Sequence, residues 1–259
     1  MHEILGIHYE PSILAVIGVI IAVSFLGSKA FQRVGVPQVV GFILIGVALG
    51  PSLLNVVPLE LGDQLVVISE IALGLIGFDI GSHLLFGDLR RLGRSILTIL
   101  LFEAIGTFLL VTLGIYALTQ SWYTAFIFGA LASATAPAAT VDVLAEYDAK
   151  GPLTTTLLAV VGMDDALALL LYSVAAAFAE SLLAHAGPPS IVQILKLPLI
   201  EIGGALLMGG GLGLVLDQIM CRMKVQHDAM AVSIGFVLLG VGLSEAFGFS
   251  LILTSMIMG

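Results

Sequence analysis

Two adjacent aspartates, Asp164 and Asp165, stand inside the apolar segment Leu157 to Leu170 (LLAVVGMDDALALL). Upstream, Ser133-Ala134-Thr135-Ala136-Pro137-Ala138-Ala139-Thr140 sets hydroxyls, small side chains and a proline inside a second apolar run. These residue types suit the handling of small cations and protons. A carboxylate in an apolar helix can hold a cation or a proton in turn. Helical neighbours point about 100° apart, so the two aspartates cannot share one face. One can look into an aqueous cavity while the other meets a partner on another helix. Pro137 has no N–H, so the Ser133 carbonyl loses its helical donor. Freed carbonyls and nearby hydroxyls can coordinate a cation, and half-helix ends carry partial charge, which is how a discontinuous membrane helix is written. Two plainer readings stand beside these: a structural hydrogen-bonded pair for the aspartates, and an ordinary proline kink.

The elements that must position these groups are membrane helices. Hydrophobic residues make up 59% of the 259 positions and charged residues only 10%, against about 25% charged in a soluble domain. That balance excludes a soluble enzyme and a disordered chain. The net charge of −9 disfavours nucleic acid as a partner. At about 20 residues a span, eight or nine spans fit with little left for loops or for a globular domain. Nine apolar runs are read at about 12–31, 38–55, 64–86, 95–118, 122–145, 153–180, 191–220, 228–246 and from 249 onward. They are too long for barrel strands and lack the alternation that strands need. Asp164 then falls 11 residues past Leu153, about 16 Å into the sixth span and near the midplane, where one carboxylate costs a few kcal/mol. Thr135, 13 residues past Trp122, sits at a similar depth in the fifth.

Polar punctuation separates the runs at Gln32 to Pro37, Pro58 to Asp63, Gly87 to Arg94, Glu146 to Pro152, His185 to Pro189 and Cys221 to Asp228. Lys29, Arg33, Arg90, Arg91, Arg94, Lys150, Arg222 and Lys224 all fall in odd-numbered connections; only Lys196 lies on the other side. The positive-inside rule makes the odd connections cytoplasmic and the N-terminus external. No basic residue precedes the first run and no small-residue cleavage site follows it, so it reads as a mature helix. The single Cys221 leaves no intramolecular disulfide and no Cys-based zinc site. Glu70 and Glu103 are the further buried acids, read first as hydrogen-bonded structural partners and second as candidates for a proton path. Glu201 and Asp142 read as wet residues near the interfaces. Gly203, Gly204, Gly209, Gly210, Gly211 and Gly213 in the seventh span read as a face for close helix packing, since a phosphate loop would need its lysine.

Ala132 to Val143 (ASATAPAATVDV), Lys150 to Thr156 (KGPLTTT) and Leu157 to Leu170 closely resemble the bacterial and archaeal monovalent cation:proton antiporters of the sodium/proton exchanger superfamily. Val34 to Pro51 (VGVPQVVGFILIGVALGP) resembles an early helix signature of the same family. The resemblance covers nearly the whole chain. It implies an all-α polytopic membrane protein with the inverted-repeat antiporter fold: two six-helix repeats, a linker helix between them, and broken helices that cross where ions bind. Residues 1–180 would form the first repeat, with the 122–145 span broken, 181–227 the linker helix, and 228–259 the incomplete start of the second repeat. It further implies a C-terminally truncated chain, a homodimer, and residence as a multi-pass protein in the inner (cytoplasmic) membrane.

Carried over by position, Asp165 matches the aspartate that binds cation and proton alternately. Asp164 matches the place held by Asp in mostly electrogenic relatives and by Asn in electroneutral ones. Ser133, Ala134, Thr135, Ala136 and Pro137 match the first crossover. The chain departs from the pattern at Ala136, where some relatives carry an acid, and at His83, where relatives often carry Glu. An internal echo supports a repeat: VGVPQVVGFILIG, from Val34, and FGFSLILTSMIMG, from Phe247, align at a constant offset of 213 residues. Span eight is then the counterpart of span one, seven steps along the chain, an odd number, so the second copy is inverted.

The implied function is secondary active transport, not enzymatic catalysis. A cation, Na⁺ first with Li⁺ or K⁺ as alternatives, exchanges for H⁺ at the Asp164–Asp165 pair by alternating access, with Ser133 and Thr135 as further ligands. No cofactor and no metal beyond the transported cation is implied; the partners are cation, proton and lipid bilayer. The rival reading is a non-transporting membrane fragment or half of a split transporter. A channel is disfavoured, because paired buried acids suit tight exchange better than free conduction.

Overall fold

The computed structural model describes residues 3–4, 7–8, 13–57, 59–84, 86–184, 191–222 and 226–259. The connection His185 to Pro189 and Lys224 lie outside the described residues, as do the side chains of Arg90 and Arg91. After a two-rung antiparallel ladder of β1 (Glu3–Ile4) and β2 (Ile7–His8), all described elements are helices. They are α1 (Ile13–Gln32), α2 (Gln38–Leu49), α3 (Leu59–His83), α4 (Phe86–Thr119), α5 (Trp122–Ser133), α6 (Pro137–Glu146), α7 (Pro152–Ala184), α8 (Ile191–Met220), α9 (Gln226–Phe247) and α10 (Leu251–Met258). Among the described residues, seven helical segments are long and apolar enough to cross a membrane, Trp122–Glu146 counting as one. Their outward faces are apolar: Leu118 is 83% and Leu207 82% exposed, which suits lipid as the surrounding solvent.

Several boundaries differ from the hydropathy reading. The second run reads as 38–55, but its helix α2 covers only the 12 residues Gln38–Leu49, and the rest of the run is non-helical. The helix ends because Gly50 precedes Pro51, and a residue before proline is driven out of the helical region; Gly50 is extended (φ −69°, ψ 178°). Gly87 to Arg94, read as a connection, is helical and makes α4 34 residues long. The start of α3 at Leu59 takes in most of the Pro58 to Asp63 punctuation. Hydropathy marks where a chain leaves an apolar medium, while a helix continues until its backbone pattern is broken. The ninth run forms only the eight residues of α10.

The chain divides into two compact units. One comprises residues 1–69 and 142–149, the other 70–141 and 150–259. In the first, Gly41 of α2 lies so close to α1 that a Cβ there would stand 2.6 Å from the Ser28 Cα. The Glu146 carboxylate accepts from Gln32 Nε2 (2.9 Å) and from the Gln38 backbone N–H (3.0 Å). A carboxylate thus holds the N-terminus of α2, which its own Pro37 does not cap with a side chain. The same bonds bring the ends of the first and fifth connections together.

In the second unit, Ile96 and Leu100 of α4 pack with Ala159 and Val160 of α7. Leu216 of α8, Val237 and Val241 of α9 and Met258 of α10 form a second core. α10 lies against glycine faces of its neighbours. A Cβ at Gly77 of α3 would be 2.8 Å from the Ile252 carbonyl oxygen, and one at Gly81 would overlap the Met256 carbonyl. On α8, Gly204, Gly209 and Gly213 face Phe249, Thr254 and Met258, whereas Gly203, Gly210 and Gly211 have open space where a side chain would be. The expected packing face is therefore one stripe of that glycine cluster, with the rest turned away.

The α1–α2 turn recurs 213 residues on. α9 and α10 start at Gln226 and Leu251, at that offset from Ile13 and Gln38. Gly35 (φ +78°) and Gly248 (φ +69°) both take the left-handed conformation that closes a helix. The Val36 N–H donates to Phe31 O (3.2 Å) as the Phe249 N–H does to Ser244 O (2.9 Å).

The glycine contacts make a specific expectation. Gly81→Ala should destabilise the protein by about 1–3 kcal/mol through overpacking against α10. Gly106→Ala, which meets nothing within 4 Å, should be neutral or stabilising by up to about 1 kcal/mol. Thermal unfolding in detergent checks the pair; equal midpoints for the two variants would contradict the packing.

Candidate functional site

The site grows from the break between α5 and α6. Ala134 leaves the helical region (φ −77°, ψ 136°), ending α5 at Ser133. Ala136 precedes Pro137 and is biased to extended backbone for that reason. Pro137 then opens α6 at a position where its missing N–H costs no helical bond. Residues 134–136 are non-helical, so the segment is an interrupted helix, beyond an ordinary proline kink. Buried alanines and glycines let the break sit deep: Ala125 and Ala130 are nearly inaccessible, and a Cβ at Gly129 would overlap the Thr112 hydroxyl of α4.

Asp164 of α7 answers the break. Its side chain is fully buried. Its Oδ2 accepts from the Thr135 backbone N–H (2.6 Å) and from Thr135 Oγ1 (2.8 Å). Its Oδ1 is buried with no hydrogen-bond partner among the described residues. Asp165, one helical step round, faces another way and lines an open cavity of about 290 Å³ between α5, α7 and α8. Ala134 of the break contributes to that wall. The polar side chains facing the cavity are Asp165, Tyr172, Glu201 and Ser250, and the rest of the lining is apolar.

The other residues singled out in the sequence are placed as follows. Ser133 is fully buried, and its hydroxyl donates to the Ala130 carbonyl (2.8 Å). Pro137 is buried, while Ala136 is exposed. Glu103 lies on α4, and its Oε2 is buried without a partner among the described residues. Glu70 is half-buried on α3 and does not line the cavity. His83 is exposed, with Nδ1 2.8 Å from the Asp79 carbonyl oxygen and 3.7 Å from Asp79 Oδ1, a local surface arrangement. Glu201, read as a wet interfacial residue, lines the same open cavity as Asp165. Ser250 and Tyr172 carry no sequence signal of their own that would place them there.

Seven membrane-length helical segments among the described residues, one of them broken at a buried carboxylate, define a multi-pass α-helical membrane protein with a polar site inside it. Residues 13–259 match the family model described as sodium/hydrogen exchanger, transmembrane, and the chain belongs to that family. Members of the family are transporters that exchange cations for protons. None of the curated proteins compared with the chain matches it.

The Asp164–Thr135 bonds carry an expectation for stability. Asp164→Ala leaves two donors of Thr135 without an acceptor and should cost about 1–3 kcal/mol. Thr135→Val removes one donor and should cost less, about 1 kcal/mol. Thermal unfolding in detergent checks the order; an Asp164→Ala midpoint equal to wild type would contradict it.

Proposed function

We propose that the chain exchanges a monovalent cation for H⁺ by alternating access at the Asp164–Asp165 pair, with Na⁺ the first choice and Li⁺ or K⁺ the alternatives. The observation that carries this reading is the division of labour between neighbours: Asp164 is tied to the helix break, while Asp165 opens onto the cavity. Asp165 binds the cation when ionised and releases it when protonated. Ser133, Thr135 and the carbonyls around Ala134, Ala136 and Pro137 supply neutral oxygens. Asp164 holds the break in the shape that presents them. Exchange follows if the site changes sides only when loaded with one ion or the other. Glu103, whose Oε2 is buried and unpartnered among the described residues, is the stronger proton-path residue, and Glu70 the weaker.

The wider reading is a protein of the bacterial or archaeal inner (cytoplasmic) membrane, with its N-terminus outside. The skew of basic residues supports that orientation, and the bonding of Glu146 to Gln32 and Gln38 supports a shared side for the first and fifth connections. The organisation into residues 1–180, a linker at 181–227 and a second, inverted copy opening at 228–259 is supported by the recurring glycine turn. A homodimer follows from the resemblance.

Asp165→Asn should abolish Na⁺-driven proton movement in proteoliposomes, while Asp164→Asn should alter the charge moved per cycle more than cation binding. Undiminished proton-coupled cation flux in Asp165→Asn would sink the proposal.

A further inference from the structure

Helix α8 brings a carboxylate into the Asp165 cavity. Glu201 lies on α8, three residues beyond Pro198, and its side chain is half-buried where it faces that space. The wall between the two acids is alanine and leucine, and no Lys, Arg or His lines the cavity among the described residues. Two carboxylates around a mostly apolar space repel each other, and no Lys, Arg or His among the described lining residues offsets that repulsion. A mobile cation or a proton can offset it. A volume of about 290 Å³ admits a small cation with part of its water, at about 30 Å³ a water. The Tyr172 and Ser250 hydroxyls add neutral oxygens. Ser250 Oγ already accepts from the Leu253 N–H (3.4 Å), which leaves its second lone pair and its proton available. Hard monovalent cations take such oxygen sets, and a proton can occupy either carboxylate in their place.

We propose that Glu201 is a second cation- and proton-binding carboxylate of the transport cavity, contributed by α8 and working with Asp165. The inference rests on the reading of Asp165 as the exchanging residue. Glu201 receives the cation from water at the cavity and passes it to Asp165, so that cation and proton can both be held, one on each carboxylate, during the handover. Loss of Glu201 then weakens loading of the site while leaving the exchanging group itself in place.

The test compares variants of the full chain in proteoliposomes carrying a pH gradient, with NaCl, LiCl and KCl as probes. Glu201→Gln should raise the half-saturating Na⁺ concentration by about tenfold and shift the pH profile, and Glu201→Asp should restore most of both. A Glu201→Gln variant with wild-type half-saturation and pH profile, alongside an inactive Asp165→Asn, would overturn the inference and leave the exchange reading standing. An active Asp165→Asn would remove the reading on which it rests. Should Glu201→Gln fail to fold, labelling of the wild-type protein with dicyclohexylcarbodiimide gives an independent readout. Modification at Glu201 that NaCl and LiCl suppress supports the inference; modification indifferent to both cations, or none at that residue, overturns it.

Discussion

A carboxylate inside a membrane bundle has no bulk water to solvate it, and its partners must come from the protein. Asp164 meets that constraint with two hydrogen bonds from one residue, Thr135, in the break between α5 and α6. The constraint runs both ways. A broken helix exposes backbone donors and acceptors that would be costly if left bare in an apolar interior. The aspartate takes up one of those donors, and the break gives the aspartate its acceptor role. Remove either and the other becomes a buried polar group without a partner. The interruption and the acid on the next span are thus one structural unit made of residues 29 positions apart.

What surrounds that unit is small. Alanine and glycine dominate where α4, α5 and α7 meet, and where α10 enters among α3, α7 and α8. In a bilayer, association between helices gains little from the hydrophobic effect, so close backbone approach and packing must supply the attraction. The glycine stripe of α8 and the Gly74–Gly77–Gly81 stripe of α3 serve that end: at several of these positions a single methyl group would collide with a carbonyl or side chain. Many leucine, isoleucine and phenylalanine side chains are turned outward instead.

Much of this was legible in the sequence, for physical reasons. Helices in lipid must satisfy their own backbone, so long apolar runs identify them, and the positions of the long spans followed. Pro137 among small residues marked the interruption because proline removes a donor and restricts its neighbour. The adjacency of Asp164 and Asp165 already required divergent faces. Other features were legible but misread: Gly50-Pro51 announces the early end of α2, while apolar composition suggested a longer span. The polar stretch Gly87 to Arg94 concealed a continuing helix, since polarity reports the medium and not the backbone. Glu201 was out of reach, because its neighbourhood depends on how α8 is rotated against α7. The same rotation decides that Gly204, Gly209 and Gly213 pack while Gly203, Gly210 and Gly211 do not.

The central claim is that cation and proton compete for Asp165. Proton release on cation binding tests it most directly, because it needs no gradient and no turnover. Adding NaCl to the purified chain in weakly buffered detergent solution should release protons, and Asp165→Asn should abolish that release. Na⁺ binding without proton release, or release undiminished in Asp165→Asn, would contradict the account.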